Sequence, residues 1–111
     1  MASLPMQLTS VKILNGTNYE DWKESLDLYL AITNMDLALR ENEPPALTAK
    51  STAAHKTSRE KSKHSNRVCL MVMKYTMEKS IRQSIQESNN AKDFLKSVGD
   101  KFQTYDKAAK D

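Results

Sequence analysis

Glycine is almost missing from this chain: there are 2 in 111 residues, with 3 prolines beside them. Gly-rich phosphate loops and sheets of many tight hairpins both use glycine for positive φ, so neither suits this sequence. Cysteine occurs once, at Cys69, which excludes an internal disulfide and a thiolate metal cluster and fits a reducing compartment. No run of about 18 consecutive apolar residues exists to make a transmembrane helix. The opening MASLPMQLTSVKIL lacks the charged-then-apolar layout of a secretory signal. Aromatics are only 6%, against 39% hydrophobic and 28% charged residues. That balance is too apolar for a disordered tail and too polar for a membrane protein, and the length suits one domain. The expectation is a single, soluble, cytoplasmic helical domain.

Charge is present but unevenly spread. The net +3 of the whole chain divides into −4 over residues 1–49, +6 over 50–74 and +1 over 75–111. The middle segment carries Lys50, Lys56, Arg59, Lys61, Lys63, Arg67 and Lys74 against Glu60 alone. Such a segment attracts polyanions such as RNA, docks on an acidic surface (the −4 segment of another copy included), or simply forms a solvated helix face.

Hydrophobic spacing predicts the elements. Residues 1–17 read as an extended lead-in, with Pro5 opposing an early helix and Asn15-Gly16-Thr17-Asn18 forming a turn. Asn18 or Thr17 is expected to cap a helix over 18–33, whose Tyr19, Trp22, Leu26, Tyr29 and Leu30 share a face. Asn34 should end it, and residues 35–40 make a short turn of helix or a link before Glu43-Pro44-Pro45. A mobile basic loop or a frayed helical start is expected over about 46–60, with Thr48 or Ser51 as a possible cap and firm helix from near Arg59. Residues 68–73 are apolar on every side, which predicts a helix at the centre of the bundle. Ile81 and Ile85 mark a short helix, and Ala91, Phe94, Leu95, Val98, Phe102 and Tyr105 a last one over 90–105. The helical domain spans 18–108, and 109–111 is a tail.

No catalytic, cofactor or metal site is read from the residues. His55 and His64 lie in a polar stretch, nine apart and without further ligands. Cys69 sits inside an apolar run and reads as a small core residue. Glu20, Asp21, Glu24 and Asp27 occupy the early turns of a helix, where its dipole favours acidic groups. Met71, Met73 and Met77 read as core filling, and Tyr29, Tyr75 and Tyr105 as core or subunit interface. The candidate contacts to RNA or an acidic partner are Lys56, Arg59, Lys61, Lys63 and Arg67. Single-strand binding also wants aromatics among such groups on an open surface, and the sequence shows none there.

The segment from Ile13 to Trp22 resembles the opening of the Gag polyprotein of copia-type LTR retrotransposons, which reads apolar-x-G-x-N-Y/F-x-x-W. Three further segments resemble the family in order: Asp36 to Glu41 with Pro44-Pro45, Ser65-Asn66-Arg67 with Leu70-Met71 and Met73-Lys74, and Asn90 to Leu95 with Lys101-Phe102. The likeness covers about 13 to 108. It departs where Arg59 and Ser62 stand at positions that usually hold Tyr and Trp. With a single cysteine, the zinc knuckle common downstream in such Gags is absent, as in an N-terminal Gag fragment or a shortened, host-adopted protein. The resemblance implies an all-α bundle of four to five helices like a retroviral capsid N-terminal domain. Its core would include Tyr19, Trp22, Leu26, Leu70, Met71, Phe94, Leu95 and Phe102. It implies a non-catalytic structural protein that self-associates into virus-like particles packaging the element's RNA. The alternatives are an RNA-binding module using residues 50–67 and a host adaptor that binds other proteins. The expected partners are itself and, second, RNA; no membrane, small-molecule substrate or cofactor is expected.

Overall fold

A computed structural model describes the backbone of residues 10–110 and the side chains of residues 10–102. Five helices follow one another: α1 Tyr19–Ile32, α2 Leu37–Arg40, α3 Ala53–Tyr75, α4 Lys79–Ser84 and α5 Ala91–Lys110. The fold is all-α. The one trace of β pairing among the described residues is a parallel bridge between Leu14 and Met77. There the Leu14 amide donates to the Thr76 carbonyl at 2.8 Å, and the Glu78 amide donates to Leu14 at 3.0 Å. The extended lead-in is therefore stitched to the end of α3 from Val11 onward, with Val11 and Leu14 buried. Its first nine residues lie outside the described part.

The turn before α1 is built differently from a simple cap. Gly16 takes φ +94°, which a side chain at that position would resist. Asn18 is the N-cap residue but makes no side-chain bond to the helix. Its amide instead accepts from the Asn15 backbone N–H and donates to the Ile13 carbonyl, both at 2.9 Å, closing the turn on itself. At the other end Asn34 adopts φ +59°. Asn34 N–H reaches the Ala31 carbonyl and Met35 N–H the Leu30 carbonyl, the paired bonds of a Schellman stop.

α1 and α3 run antiparallel. The first turn of α1 places Trp22 against the end of α3, where its indole N–H donates to Thr76 Oγ1 at 3.0 Å in the buried interior. Beyond its far end, the Met35 carbonyl accepts from Ser65 Oγ at 2.8 Å. α5 starts beside the middle of α3 and runs the same way, ending its described side chains with Phe102 stacked on Tyr19 at 5.4 Å. Gly99 lets that crossing close, because a Cβ there would stand 3.0 Å from the Tyr19 hydroxyl. Trp22, Leu26, Leu30, Met73, Phe94 and Val98 fill the space between the three helices.

Several expectations need correction. Residues 53–60 are helix, so the expected loop over 46–60 is confined to its first part. Thr52, rather than Thr48 or Ser51, caps α3 by accepting from the His55 amide; Ser51 Oγ accepts from the Thr48 amide in the turn before it. α5 continues to Lys110, past the expected end at 105 and through most of the expected tail. Met71 is 63% exposed and Tyr75 72% exposed, so neither belongs to the core. The apolar run at 68–73 is covered on one side only, through Cys69, Val72 and Met73. Of the other expected core residues, Trp22, Leu26, Phe94 and Phe102 are buried, and Tyr19, Leu70 and Leu95 pack half-buried against them. Tyr29 also packs against the core, and the Tyr105 side chain lies outside the described residues.

Trp22→Ala should lower unfolding free energy by about 3–5 kcal/mol through the cavity it leaves. Thr76→Val, which strands a buried indole N–H, should cost about 1–3 kcal/mol. Urea denaturation checks both; an unchanged midpoint for Thr76→Val would show that the indole bond does not hold the α1–α3 junction.

Candidate interaction surface

The five basic candidates all lie on α3, where about 100° per residue sets Lys56, Arg59, Lys63 and Arg67 on one side and Lys61 apart. Lys56, Lys63 and Arg67 are exposed and share the side of α3 turned away from α1 and α5. Lys61 is exposed on a different flank, beside a cleft that Leu37, Asn42 and Pro44 also line. Arg59 is half-buried. Its guanidinium donates to the carbonyls of Pro44 at 3.0 Å and Pro45 at 3.3 Å and faces Glu43 at 3.9 Å. His55 Nε2 meets the same Pro45 carbonyl at 3.2 Å. Arg59 is thus engaged in tying the proline loop to α3.

The segments that carry the family resemblance meet in space. Ser65 Oγ donates to the Met35 carbonyl and accepts from the Ala38 amide at 2.9 Å, joining α3 to α2. Asn66 donates to the Asn89 carbonyl and accepts from the Ala91 amide, both at 2.7 Å, joining α3 to the start of α5. Asn90 Oδ1 caps α5 by accepting from the Asp93 amide at 3.0 Å. Spacing within the sequence singled out none of these three roles, because polar residues at helix junctions leave no periodic trace.

The outer side of α3 continues past its charges. Stepping by four from Lys63 reaches Arg67, Met71 and Tyr75, all exposed. His64 lies beside this row with Nδ1 3.5 Å from the Arg67 guanidinium, and Glu60 shares the shallow depression there. Lys74 is occupied elsewhere, bonded to Glu87 and lying 5.6 Å from the centre of the Phe94 ring. That bond holds the Glu87 carboxyl below its usual pKa. Tyr75, about 12 Å beyond Arg67 along α3, is the exposed aromatic that follows the basic stretch.

Among the described residues, no group of three His, Cys, Asp or Glu side chains is placed to hold a metal ion. A cleft of about 260 Å³ lies between the loop after α2, the middle of α3 and the 88–90 turn. Its walls set Glu41 and Glu43 against Arg59 and Lys63, so charges offset one another instead of converging. Cys69 is fully buried and its thiol donates to the Met35 carbonyl at 3.0 Å. Burial pushes that thiol up to about 11 from 9.0. No described helix is long and apolar enough to cross a membrane.

Compared with family models, curated proteins and solved structures, the chain matches none.

Arg59→Ala should release the 43–45 loop and speed amide hydrogen exchange in the first two turns of α3. Global stability should drop by only about 1–2 kcal/mol. Unchanged exchange over 53–59 would show that the arginine does not secure that end. Cys69 adds a pH dependence of definite sign. Below about pH 9 the thiol is protonated whether folded or not, so it contributes nothing. Between pH 9 and about 11 the unfolded chain loses this proton while the folded one keeps it, so stability falls as pH rises. The urea midpoint of Cys69→Ala should decline less over that window than that of the parent.

Proposed function

We propose that this chain is a cytoplasmic, non-catalytic Gag-like assembly domain that self-associates into particles around the element's RNA. The observation that carries this reading is the convergence just described: the residues resembling the copia Gag signature are the ones that join the helices. Asn15 to Trp22 form the turn and the first turn of α1, which bonds the end of α3. Ser65 and Asn66 fasten α3 to the segments at 35–38 and 89–91. A signature many of whose members join the elements of one fold suits a scaffold, since a building block needs a constant frame more than a reactive centre.

The surface is consistent with that work. α1 exposes acidic groups, α3 exposes basic ones, and apolar side chains stand in solvent at Leu28, Ile32, Met71 and Tyr75. Contacts made from such small patches are individually weak, and a closed shell multiplies them.

Light scattering or sedimentation of nuclease-treated protein tests the reading. Average mass should rise with protein concentration and fall as sodium chloride screens the charges. A strict monomer at every concentration and salt level would overturn it.

A further inference from the structure

Two exposed rows on different helices have the same layout. On α3 the four-residue step gives Lys63, Arg67, Met71 and Tyr75: two cations followed by two apolar side chains. On α1 the same step gives Glu20, Glu24, Leu28 and Ile32: two carboxylates followed by two apolar side chains. All eight are exposed, with Leu28 at 53% and Ile32 at 48%. Each row lies opposite the buried face of its helix, which on α1 holds Trp22, Leu26 and Leu30 and on α3 holds Cys69, Val72 and Met73. Each spans about 18 Å at 1.5 Å per residue.

We propose that the α1 row of one molecule docks in parallel on the α3 row of a second copy. The inference rests on the assembly reading and names the surfaces it uses. When the four-residue ridges of two helices interlock, the helices cross at about −50° and the two rows lie alongside each other. In the parallel sense Glu20 and Glu24 come beside Lys63 and Arg67, while Leu28 and Ile32 come beside Met71 and Tyr75. The antiparallel sense sets charge against hydrocarbon at both ends, so the layout selects one direction. The charge halves steer and orient, and the apolar halves supply most of the attraction.

The flanking groups fit this arrangement. Asp27 near the α1 row is paired with Lys23 at 2.7 Å, and Lys74 near the α3 row is paired with Glu87, so neither alters the pattern. Glu60 stands three residues before Lys63, beyond the charged end of the row. Because α1 and α3 are different surfaces, each docked pair leaves one row of each kind free, and the contact propagates head to tail. Two 18 Å rows bury less than the roughly 1,600 Å² of a standard stable interface, so a single contact is weak.

Charge reversal separates this proposal from its alternatives. Nuclease-treated K63E/R67E and E20K/E24K should each associate at least about tenfold more weakly than the parent, since like charges then face each other. Their equimolar mixture should recover association, as should the chain carrying all four changes. Met71→Ser with Tyr75→Ser should weaken association without changing any charge. Circular dichroism of every variant should match the parent, because all the altered side chains are in solvent. Only variants carrying E20K/E24K should melt a little lower, because their lysines meet the positive end of the α1 dipole. A parent that stays monomeric overturns both the assembly reading and this contact. A parent that associates while both reversals associate equally well leaves the assembly reading standing and removes these rows. Weakening that the mixture does not restore also overturns the pairing. So does association that appears only with added RNA and is lost in K63E/R67E, which would assign the α3 row to nucleic acid.

Discussion

Thr76 is the point on which the described structure turns. Its hydroxyl accepts the Trp22 indole N–H and donates back to the Val72 carbonyl at 2.8 Å, while its own carbonyl receives the Leu14 amide. One residue thus holds α1, the end of α3 and the lead-in together, and it is only 1% exposed. A buried indole N–H needs a partner, and a threonine following the last turn of a helix can serve it while its own hydroxyl proton goes to the Val72 carbonyl, which also accepts the Thr76 amide. Packing alone would hold Trp22 in place. The hydrogen bond specifies which way it faces and therefore how α1 lies across α3.

From that junction the other contacts acquire their order. With α1 fixed at its start, the Schellman stop at Asn34 directs the chain toward Ser65, and α2 is laid against α3. Asn66, one residue on, reaches a different side of the helix and fixes the beginning of α5. Adjacent residues 65 and 66 point about 100° apart on a helix, so neighbouring positions can serve two different partners. This is economical for a chain of 111 residues, where a small core leaves much of the orientation to polar bonds.

Much of this was legible in the order of residues. The face carrying Trp22, Leu26 and Leu30, the break at Asn34 and the short helix around Ile81 all follow from spacing and from backbone preference. Residues 53–60 were misread because they have almost no large apolar side chain. Their helix rests on the Thr52 cap, on Ala53 and Ala54, and on bonds from His55 and Arg59 to carbonyls ten to fifteen residues away. Met71 was misread for the converse reason: a continuous apolar run hides which of its members faces outward, and only the position of α1 and α5 decides it. The basic residues look like one cluster in sequence, yet the helix turns Lys61 to a separate flank and the proline loop engages Arg59, while Lys56, Lys63 and Arg67 stand exposed on the open side.

The fastening of the proline loop has a consequence for how this chain can vary. Arg59 and His55 grip main-chain oxygens, which every residue type presents alike. Prolines 44 and 45 restrict the bend but offer the grip nothing that another pair of residues in the same path would not. Side chains along that connection are therefore free to drift, whereas the length of the connection and the two anchors on the helix are not. Divergent copies of such a molecule would keep the clasp and change the strap.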